Sequence, residues 1–362
     1  MNVAQLKPHL VFEMMETLIA RFAGPFPRST KITINIDPMI SAAMSGQAVF
    51  RMFARFVQAN FILYPPYDEP FFCWFPDRKI TLEASNPRTL IPFIEFVHSA
   101  AIFGLAYRPA YIKTLERLVR KDLRHIELPY EQPSGLKGLE NILPEIAELE
   151  TTSNMFLALL SNTNFYFPSL KRLTLKECAF DCISQIVTVP VEFPLLETFK
   201  LESDGVHYTT TKNITFAENC FPTVKNLIIN ILELDTPFSE SDVERVAQWL
   251  KSFTSLATAN ICIHRPVYRN GYCLLRDPEI TRLHNAFKSI DFGVPLQLTF
   301  KLTFTRFTNP KEKITAEQYI EQSFPSFKRV PDSTPATFIY KDQLPGKTFQ
   351  HIIENCVPCS SD

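Results

Sequence analysis

The stretches FPSLKRLTLKECAF (167–180), FPLLETFKLESDGV (193–206), FPTVKNLIINILEL (221–234) and FTSLATANICIHRP (253–266) repeat one pattern. Three of them start with Phe-Pro, and a shorter match, DLRHIELP, lies upstream at 122–129. Apolar residues occupy the first, fourth and sixth positions of a shared frame: Leu170, Leu173 and Leu175; Leu196, Phe199 and Leu201; Val224, Leu227 and Ile229; Leu256, Ala259 and Ile261. Four matches in one frame indicate an internal repeat.

The frame is typical of a short parallel β-strand. Its fourth and sixth positions alternate with polar neighbours, so both apolar side chains point to the same side of the strand. One unit cannot bury this apolar edge alone, whereas stacked units bury a continuous core. The repeats therefore predict an α/β fold, a leucine-rich-repeat-like solenoid with a parallel sheet on one face and helices on the other. An ordinary βα domain whose strands look alike is the alternative.

The alternation of strands and helices extends beyond the four segments. Strands are predicted at 31–37, 79–85 and 296–307, and helices at 38–58, 90–105, 278–287 and from Ser239 onward. Ser239 is followed three residues later by Asp242, a weak capping signal. We therefore expect a repeat region at 31–309, an N-terminal helix within 1–30, and a C-terminal cap and tail at 310–362.

Composition limits the classes of function. Hydrophobic residues make up 46% and charged residues 21%, as in folded proteins, and the net charge of −1 gives no field that would concentrate nucleic acid or anionic lipid. Only 9 glycines are present, which disfavours glycine-rich phosphate loops. The 8 cysteines are dispersed and indicate buried reduced thiols. Without a signal peptide or an apolar span, we expect a cytoplasmic protein, with the nucleus as the alternative.

Three possible chemical motifs fail on spacing. Gly346-Lys347-Thr348 ends like a phosphate-binding loop, but the glycine required five residues earlier is Lys341, so an ordinary turn is expected. His125 with Glu127 and the distant Cys356/Cys359 pair resembles a zinc deaminase pattern only superficially. A basic run at 117–124 contains acidic residues and is typical of a solvated helix face.

These failures leave no candidate catalytic residue, cofactor site or metal site. The sequence therefore favours a non-enzymatic binding protein. An enzyme whose active site is assembled from distant residues is the alternative from another class.

If the repeats stack, polar residues beside the buried positions line the concave strand face. We expect these residues to bind a protein partner: Lys171, Arg172, Thr174, Lys176, Glu197, Lys200, Glu202, Lys225, Asn226 and Asn230. In register, Lys171, Glu197 and Lys225 form a column of alternating charge. Such a column either stabilises neighbouring strands or contacts a charged partner, and the first role is favoured for any single residue.

The chain resembles the nematode families of F-box and leucine-rich-repeat-like proteins. The resemblance is carried by the frame F-P-x-L-x-x-L-x-L at 167–175, 193–201 and 221–229, with support from 32 phenylalanines and few glycines. In those families an N-terminal F-box docks a ubiquitin-ligase adaptor and the C-terminal region captures a target. The resemblance thus implies a protein-interaction scaffold, a substrate receptor of a ubiquitin ligase.

The N-terminal segment resembles the first helix of an F-box. LKPHLVFEMMETLIARF (6–22) places four apolar residues on one helical face: Leu10, Met14, Leu18 and Phe22. The strand predicted from residue 31 interrupts the further helices of an F-box. The segment is therefore interpreted either as a cap on the first repeat or as a remnant F-box, and a family member without adaptor binding is a further alternative.

Overall fold

In a computed structural model, the chain is a mixed α/β protein. The residues described are 13, 17, 32–35, 37–60, 62–64, 72–74, 80–83, 96–101, 109–128, 138–162, 165–188, 192–211, 216, 221–232, 234, 238–267, 277–304, 321, 325–331, 333 and 336–355. Contacts divide them between a first unit (Met1–Thr151 and Asn162–Leu170) and a second unit (Thr152–Ser161 and Lys171–Asp362).

The first unit contains a mixed sheet and three described α-helices. Its strands are β1 (Ile32–Asn35), β2 (Ile62–Tyr64), β3 (Phe72–Trp74), β4 (Ile80–Glu83), β5 (Ser99–Ala101), β6 (His125–Leu128) and β7 (Glu148–Thr152). Its helices are α1 (Asp37–Ala43), α2 (Gln47–Asn60) and α3 (Pro109–Val119), with a 3-10 turn at Leu143–Glu145. The strand order is β1-β4-β3-β2-β5-β6-β7, and only the pairs β2–β3 and β3–β4 are antiparallel.

The second unit carries the repeated segments. Its strands are β8 (Arg172–Lys176), β9 (Thr198–Asp204), β10 (Asn226–Leu232), β11 (Thr258–Val267), β12 (Leu296–Phe304), β13 (Lys328–Arg329), β14 (Ala336–Leu344) and β15 (Lys347–Asn355). Its helices are α4 (Ser153–Leu160), α5 (Asp181–Thr188), α6 (Gly205–Thr211), α7 (Glu240–Lys251) and α8 (Asp277–Ser289). The order is β8-β9-β10-β11-β12-β15-β14-β13. The neighbouring strands from β8 to β12 and the pair β12–β15 are parallel, whereas the pairs β15–β14 and β14–β13 are antiparallel.

The repeat frame predicts the register of the parallel strands correctly. Residues at the fourth position of the frame are direct cross-strand partners, and so are residues at the sixth position. The two rows are Leu173, Phe199, Leu227 and Ala259, and Leu175, Leu201, Ile229 and Ile261. All eight side chains are at most 1% exposed, so they form the core of this unit. A shift by one residue would turn every one of them to the opposite face.

The Phe that starts each repeat begins a β-turn. The carbonyl of Phe167, Phe193, Phe221 and Phe253 accepts a hydrogen bond from the amide three residues later, at 3.4, 3.2, 3.0 and 3.3 Å. In the first three repeats Pro follows Phe, at the turn position where its fixed φ is favourable. The Phe-Pro pair thus bends the chain immediately before β8, β9 and β10.

The residue that follows each turn joins one repeat to the next. The Lys171 carbonyl accepts the amides of Glu197 and Thr198 at 2.9 and 3.0 Å, and the Glu197 carbonyl accepts those of Lys225 and Asn226 at the same distances. Lys225 repeats the pattern with the next strand, at 2.7 and 3.0 Å. Each of these carbonyls therefore uses both of its lone pairs to accept amides of the next repeat.

Aromatic rings fill the space behind these turns. Phe221 lies between the equivalent rings of its neighbours, with ring centroids 5.9 Å from Phe193 and 6.5 Å from Phe253. Phe199, from the strand, contacts Phe221 at 4.8 Å. Trp249 of α7 stacks on Phe180 at 4.6 Å. The high phenylalanine content of the sequence is thus used to link successive repeats through their turns.

The strands outside the four repeats are placed mostly as predicted. β1 and β4 lie within the strands expected at 31–37 and 79–85, and β12 occupies the first nine residues of 296–307. Helix α8 confirms 278–287, and α7 begins at Glu240 with Ser239 as its N-cap. The sheet is mostly parallel and does not close on itself, in agreement with the α/β class.

Two predicted helices are corrected. The single helix expected at 38–58 is two helices, because the chain turns at Met44 and Ser45 before α2 begins. The helix expected at 90–105 is wrong at 99–101, where the chain forms β5 between β2 and β6. Ser99 and Ala100 pair with parallel strands on both sides, and these hydrogen bonds outweigh the local helical pattern.

Most of the N-terminal and C-terminal predictions lie outside the described residues. The helix at 1–30 is described only at Glu13 and Thr17, both helical and exposed. Within 310–362, the described part forms β13–β15. None of the described helices combines the length and apolar character needed to span a membrane.

Replacing Phe253 with Ala is expected to lower the free energy of unfolding by about 3–5 kcal/mol, the usual cost of removing a buried aromatic ring. Phe253 is 2% exposed and contacts the rings of Phe199, Phe216 and Phe221, which all belong to the preceding part of the array. Urea denaturation measures the loss. Leu195→Ala, at a 48% exposed turn position, is the control and should change stability by less than about 0.5 kcal/mol. Equal effects would show that the rings do not couple the repeats.

Candidate functional site

The predicted protein-binding residues lie on or just before three adjacent parallel strands. Three lie between the turn and the strand of their repeat: Lys171, Glu197 and Lys225. The others are on the strands: Arg172, Thr174, Lys176, Lys200, Glu202, Asn226 and Asn230. The structure therefore brings the three repeats' predicted residues together. Thr174 differs from the expectation because its side chain is 5% exposed and offers little surface to a partner.

The column of alternating charge has a stabilising role. Lys225 Nζ lies 2.9 Å from Glu197 Oε1, in an ion pair open to solvent. The hydrogen bond and charge of Lys225, with a smaller contribution from Lys171, lower the pKa of Glu197. The Asn226 side chain also contacts the neighbouring strand, because its Oδ1 accepts a hydrogen bond from the Thr258 hydroxyl at 2.8 Å. These contacts join side chains of neighbouring repeats, which is the arrangement expected for the stabilising role that the sequence favours.

We define the polar strand face as the non-core side of β9–β12 and β15. Its residues alternate with the buried rows: Lys200, Glu202, Ile228, Asn230, Asn260, Cys262, Gln297, Thr299, Lys301, Gln350, Ile352 and Glu354. Asn260 and Gln297 are exposed, and the others are half-buried. The sequence prediction covered only its β9 and β10 part.

The charges on the polar strand face are paired with each other. Lys200 Nζ lies 2.6 Å from Glu202 Oε1, and Lys301 Nζ lies 2.9 Å from Glu354 Oε1. Each pair joins a cation to a carboxylate on the same face, so the face as a whole is close to neutral. Binding a nucleic-acid backbone requires a cluster of uncompensated cations, and this neutral face does not provide one.

The carboxamides of the polar strand face have no partner for their side chains among the described residues. Asn230 and Gln350 lie in one register row with Thr299, and Asn260 pairs directly with Gln297 in the next row. Each carboxamide offers two donors and one acceptor oxygen. These four side chains present hydrogen-bonding groups beside the apolar Ile228 and Ile352.

The Gly346-Lys347-Thr348 sequence forms a hairpin turn, as expected. Gly346 has φ +72° and follows Pro345 in the turn between β14 and β15. Lys347 Nζ donates to the carbonyls of Phe287, Lys288 and Ile290 at 2.7, 2.8 and 2.7 Å. These carbonyls belong to the C-terminal end of α8, where the helix leaves acceptors unused. The negative end of the helix dipole attracts the ammonium group, so Lys347 caps the C-terminal end of α8.

Replacing Lys347 with Met is expected to lower the free energy of unfolding by about 1–3 kcal/mol, because three partly buried carbonyls lose a charged donor. Lys341→Met is a matched control on the same hairpin, since Lys341 is exposed. Urea denaturation of both variants gives the comparison. Equal stability of the two variants would contradict the capping role.

A buried carboxylate, Asp242, fixes the start of α7. Asp242 is 1% exposed and accepts from the Ser239 amide at 2.8 Å, from the Ser239 hydroxyl at 2.6 Å and from the Tyr208 hydroxyl at 3.0 Å, and it also pairs with Arg245. Burial and the nearby Asp242 raise the pKa of Tyr208. The weak capping signal at Ser239 thus becomes a buried network that anchors the start of α7 against α6.

A second network joins α8 to the last hairpin. His284 Nε2 lies 2.8 Å from Asp342 Oδ2, Lys288 Nζ lies 3.1 Å from the same oxygen, and the Tyr340 hydroxyl lies 3.1 Å from His284 Nδ1. Burial and Lys288 lower the pKa of His284. For Asp342, burial opposes ionisation, but the hydrogen bonds and charges of Lys288 and His284 outweigh it and lower the pKa. The aspartate–histidine pair has no serine, threonine or cysteine partner on His284 among the described residues.

The other candidate motifs form no site in the described part of the chain. The 117–124 basic side chains are exposed, and Arg124 Nε pairs with Asp122 at 2.6 Å. Cys178 is a buried free thiol, with its Sγ 3.0 Å from that of Cys182. The Cys356/Cys359 pair lies outside the described residues. No group of three or more His, Cys, Asp or Glu side chains that could hold a metal ion occurs among those described.

A cavity of about 330 Å³ lies between α7, α8 and the core side of β11 and β12. His351 of β15 contributes to its lining and is 1% exposed. Within the described part of the chain, neither ring nitrogen of His351 has a hydrogen-bond partner. Burial lowers the pKa of His351 to about 3, so the ring is neutral. His351 is not among the residues predicted from the sequence to form a site; its alternation with Phe349 and Ile353, which marks the core row, is the signal that could have identified it.

His351 is expected to make the protein less stable in acid. Its folded pKa lies below the value of about 6.5 in the unfolded chain, so unfolding takes up a proton as the pH falls below 6.5. Between pH 7.5 and pH 5.0 this proton uptake costs about 2 kcal/mol of folding free energy. Urea denaturation at both values should show that loss in the wild type and a correspondingly smaller loss in His351→Phe. Parallel pH dependence of the two proteins would contradict the burial of a neutral ring.

Comparison with known proteins does not extend these observations. No protein-family model matches the chain, and no curated protein matches it.

Proposed function

We propose that the chain is a non-enzymatic scaffold that recognises a protein through its polar strand face. The observation that carries the proposal is the composition of this face: lysines are neutralised by carboxylates, whereas four carboxamides have no side-chain partner in the described structure. Neutral donors and acceptors beside isoleucines suit a folded protein surface, which also combines polar and apolar groups.

The repeats support a solenoid as the form of this scaffold. Four segments share the same turn and the same register rows, and the first three form the same pair of backbone hydrogen bonds to the next repeat. We propose a leucine-rich-repeat-like solenoid, in which such stacking produces an extended binding surface. The resemblance to F-box proteins extends the proposal to a substrate receptor of a ubiquitin ligase, with the adaptor bound by the helix at 1–30.

Photo-crosslinking in the full chain tests the surface. Benzoylphenylalanine at Asn230 should capture a protein from cells expressing the variant, whereas the same group at Gln248, exposed on α7, should not capture it. The captured protein is then purified and its affinity measured directly. Asn230→Arg combined with Asn260→Arg should raise the Kd by about tenfold to 100-fold, because both changes place a bulky charge at the centre of the surface.

Gln248→Arg combined with Lys251→Glu is the matched control on the helix side and should leave the Kd unchanged. Circular dichroism and urea denaturation show whether each variant is folded. Unchanged affinity in the folded strand-face variant, or equal loss in the helix-side control, would reject the polar strand face as the recognition surface.

A further inference from the structure

The cavity beside His351 has an apolar interior and a charged rim. The described residues that line it are Leu234, Phe238, Ser239, Glu240, Ser241, Ile263, Arg265, Arg282, Leu283, Phe300, Lys301, Leu302 and His351. Its six aliphatic and phenylalanine side chains are each at most 8% exposed. Its volume of about 330 Å³ lies within the range of small-molecule sites. An apolar body is therefore the part of a ligand that fits the interior.

His351 contributes one polar side chain to the interior, and its ring nitrogens form no hydrogen bond with the described residues. The neutral ring carries one N–H donor and one acceptor nitrogen. Phe300, Phe327 and Phe349 surround it with ring centroids at 5.9, 5.3 and 6.4 Å. A buried polar side chain without a hydrogen bond costs free energy that an apolar residue of similar shape would not. A ligand oxygen reaching His351 would remove that cost.

The rim carries cations that the described residues leave uncompensated. Arg265 is half-buried at the end of β11, and Arg282 is exposed on α8; neither has a hydrogen-bond or ion-pair partner among the described residues. Lys301 does not add to this charge, because its Nζ pairs with Glu354 on the polar strand face. Glu240 is the single carboxylate of the described lining.

The start of α7 adds to the positive potential. Ser239, Glu240 and Ser241 bring the N-terminal end of this helix to the rim, where the helix dipole favours anions. The acidic Asp242 in the same turn is buried and bound by its own partners, so it does not face the cavity. Counted over the described lining residues, two guanidinium groups against one carboxylate give the rim a net charge of about +1.

We propose that this cavity binds a small amphiphilic monocarboxylate, with its carboxylate at Arg265 and Arg282, its apolar body on Ile263, Phe300 and Leu302, and a hydroxyl or carbonyl oxygen at His351. Arginine is suited to this task because its guanidinium binds a carboxylate through two parallel hydrogen bonds. Polyphosphates fit less well, since their charge exceeds that of the rim and their polar body would lie against an apolar interior. The inference concerns a ligand site and is independent of the proposed protein-binding surface.

Calorimetric titration of the full chain with four probes tests the chemistry. The probes are decanoate, 10-hydroxydecanoate, decanol and decyltrimethylammonium, which share an apolar chain and differ in their polar ends. Decanoate is expected to bind saturably with one site per chain, at least about tenfold more tightly than decanol. 10-Hydroxydecanoate should bind more tightly again, and decyltrimethylammonium should not bind saturably.

Variants assign each end of the ligand. Arg265→Gln combined with Arg282→Gln should reduce the affinity for decanoate to that for decanol, and these rim positions are outside the packed core. His351→Phe should abolish the preference for 10-hydroxydecanoate over decanoate while retaining decanoate binding. Leu302→Trp, which fills the interior, should abolish binding, and Asn230→Ala on the polar strand face is the control that should not alter it.

Three outcomes would overturn the proposal. They are the absence of saturable decanoate binding to the wild type, equal affinity for the cationic amphiphile, and unchanged affinity in the double arginine variant. The arginine variant keeps the test decisive even where Leu302→Trp fails to fold.

Discussion

The structure of the second unit depends on the backbone hydrogen bonds by which one carbonyl in each repeat accepts two amides of the next. Lys171, Glu197 and Lys225 supply these carbonyls, each directly after the turn that begins with Phe. The turn, the carbonyl and the strand keep a constant spacing in each of these repeats. The backbone hydrogen bonds alone therefore align the buried rows, whichever side chains the neighbouring strand carries. The aromatic rings behind the turns and the ion pair in front of them then act on a register already set by the backbone.

Local pattern was a good guide where burial follows the strand period, and a poor one where distant strands decide the outcome. The repeat frame predicted the rows through Leu173 and Leu175 because alternation along one strand is enough to mark a core face. Ser99–Ala101 was misassigned to a helix, since its strand conformation comes from pairing with β2 and β6. The predicted binding face was found on β9 and β10, but its continuation to Asn260, Gln297 and Gln350 needed the parallel order of β11, β12 and β15.

The cavity illustrates the same limit for a candidate site. His351, Arg265 and Arg282 come from three elements far apart in the chain, and no spacing in the sequence relates them. Their juxtaposition requires β15 to insert beside β12 in parallel after a long connection. Composition alone indicated a protein without an evident ligand, whereas the assembled fold places an unsatisfied imidazole under a cationic rim.

The hairpin at the end of the second unit limits how far the array can extend. β15 covers the open edge of β12 along nine residue pairs, and β14 then runs antiparallel to it, followed by the two-residue β13. β14 runs opposite to the repeat strands, and β13 runs in their direction but pairs with only two residues of β14. A parallel repeat from another chain would therefore meet only a very short strand of matching direction at this edge. The hairpin therefore acts as a terminator against end-to-end polymerisation, a hazard for any protein built from self-complementary strands.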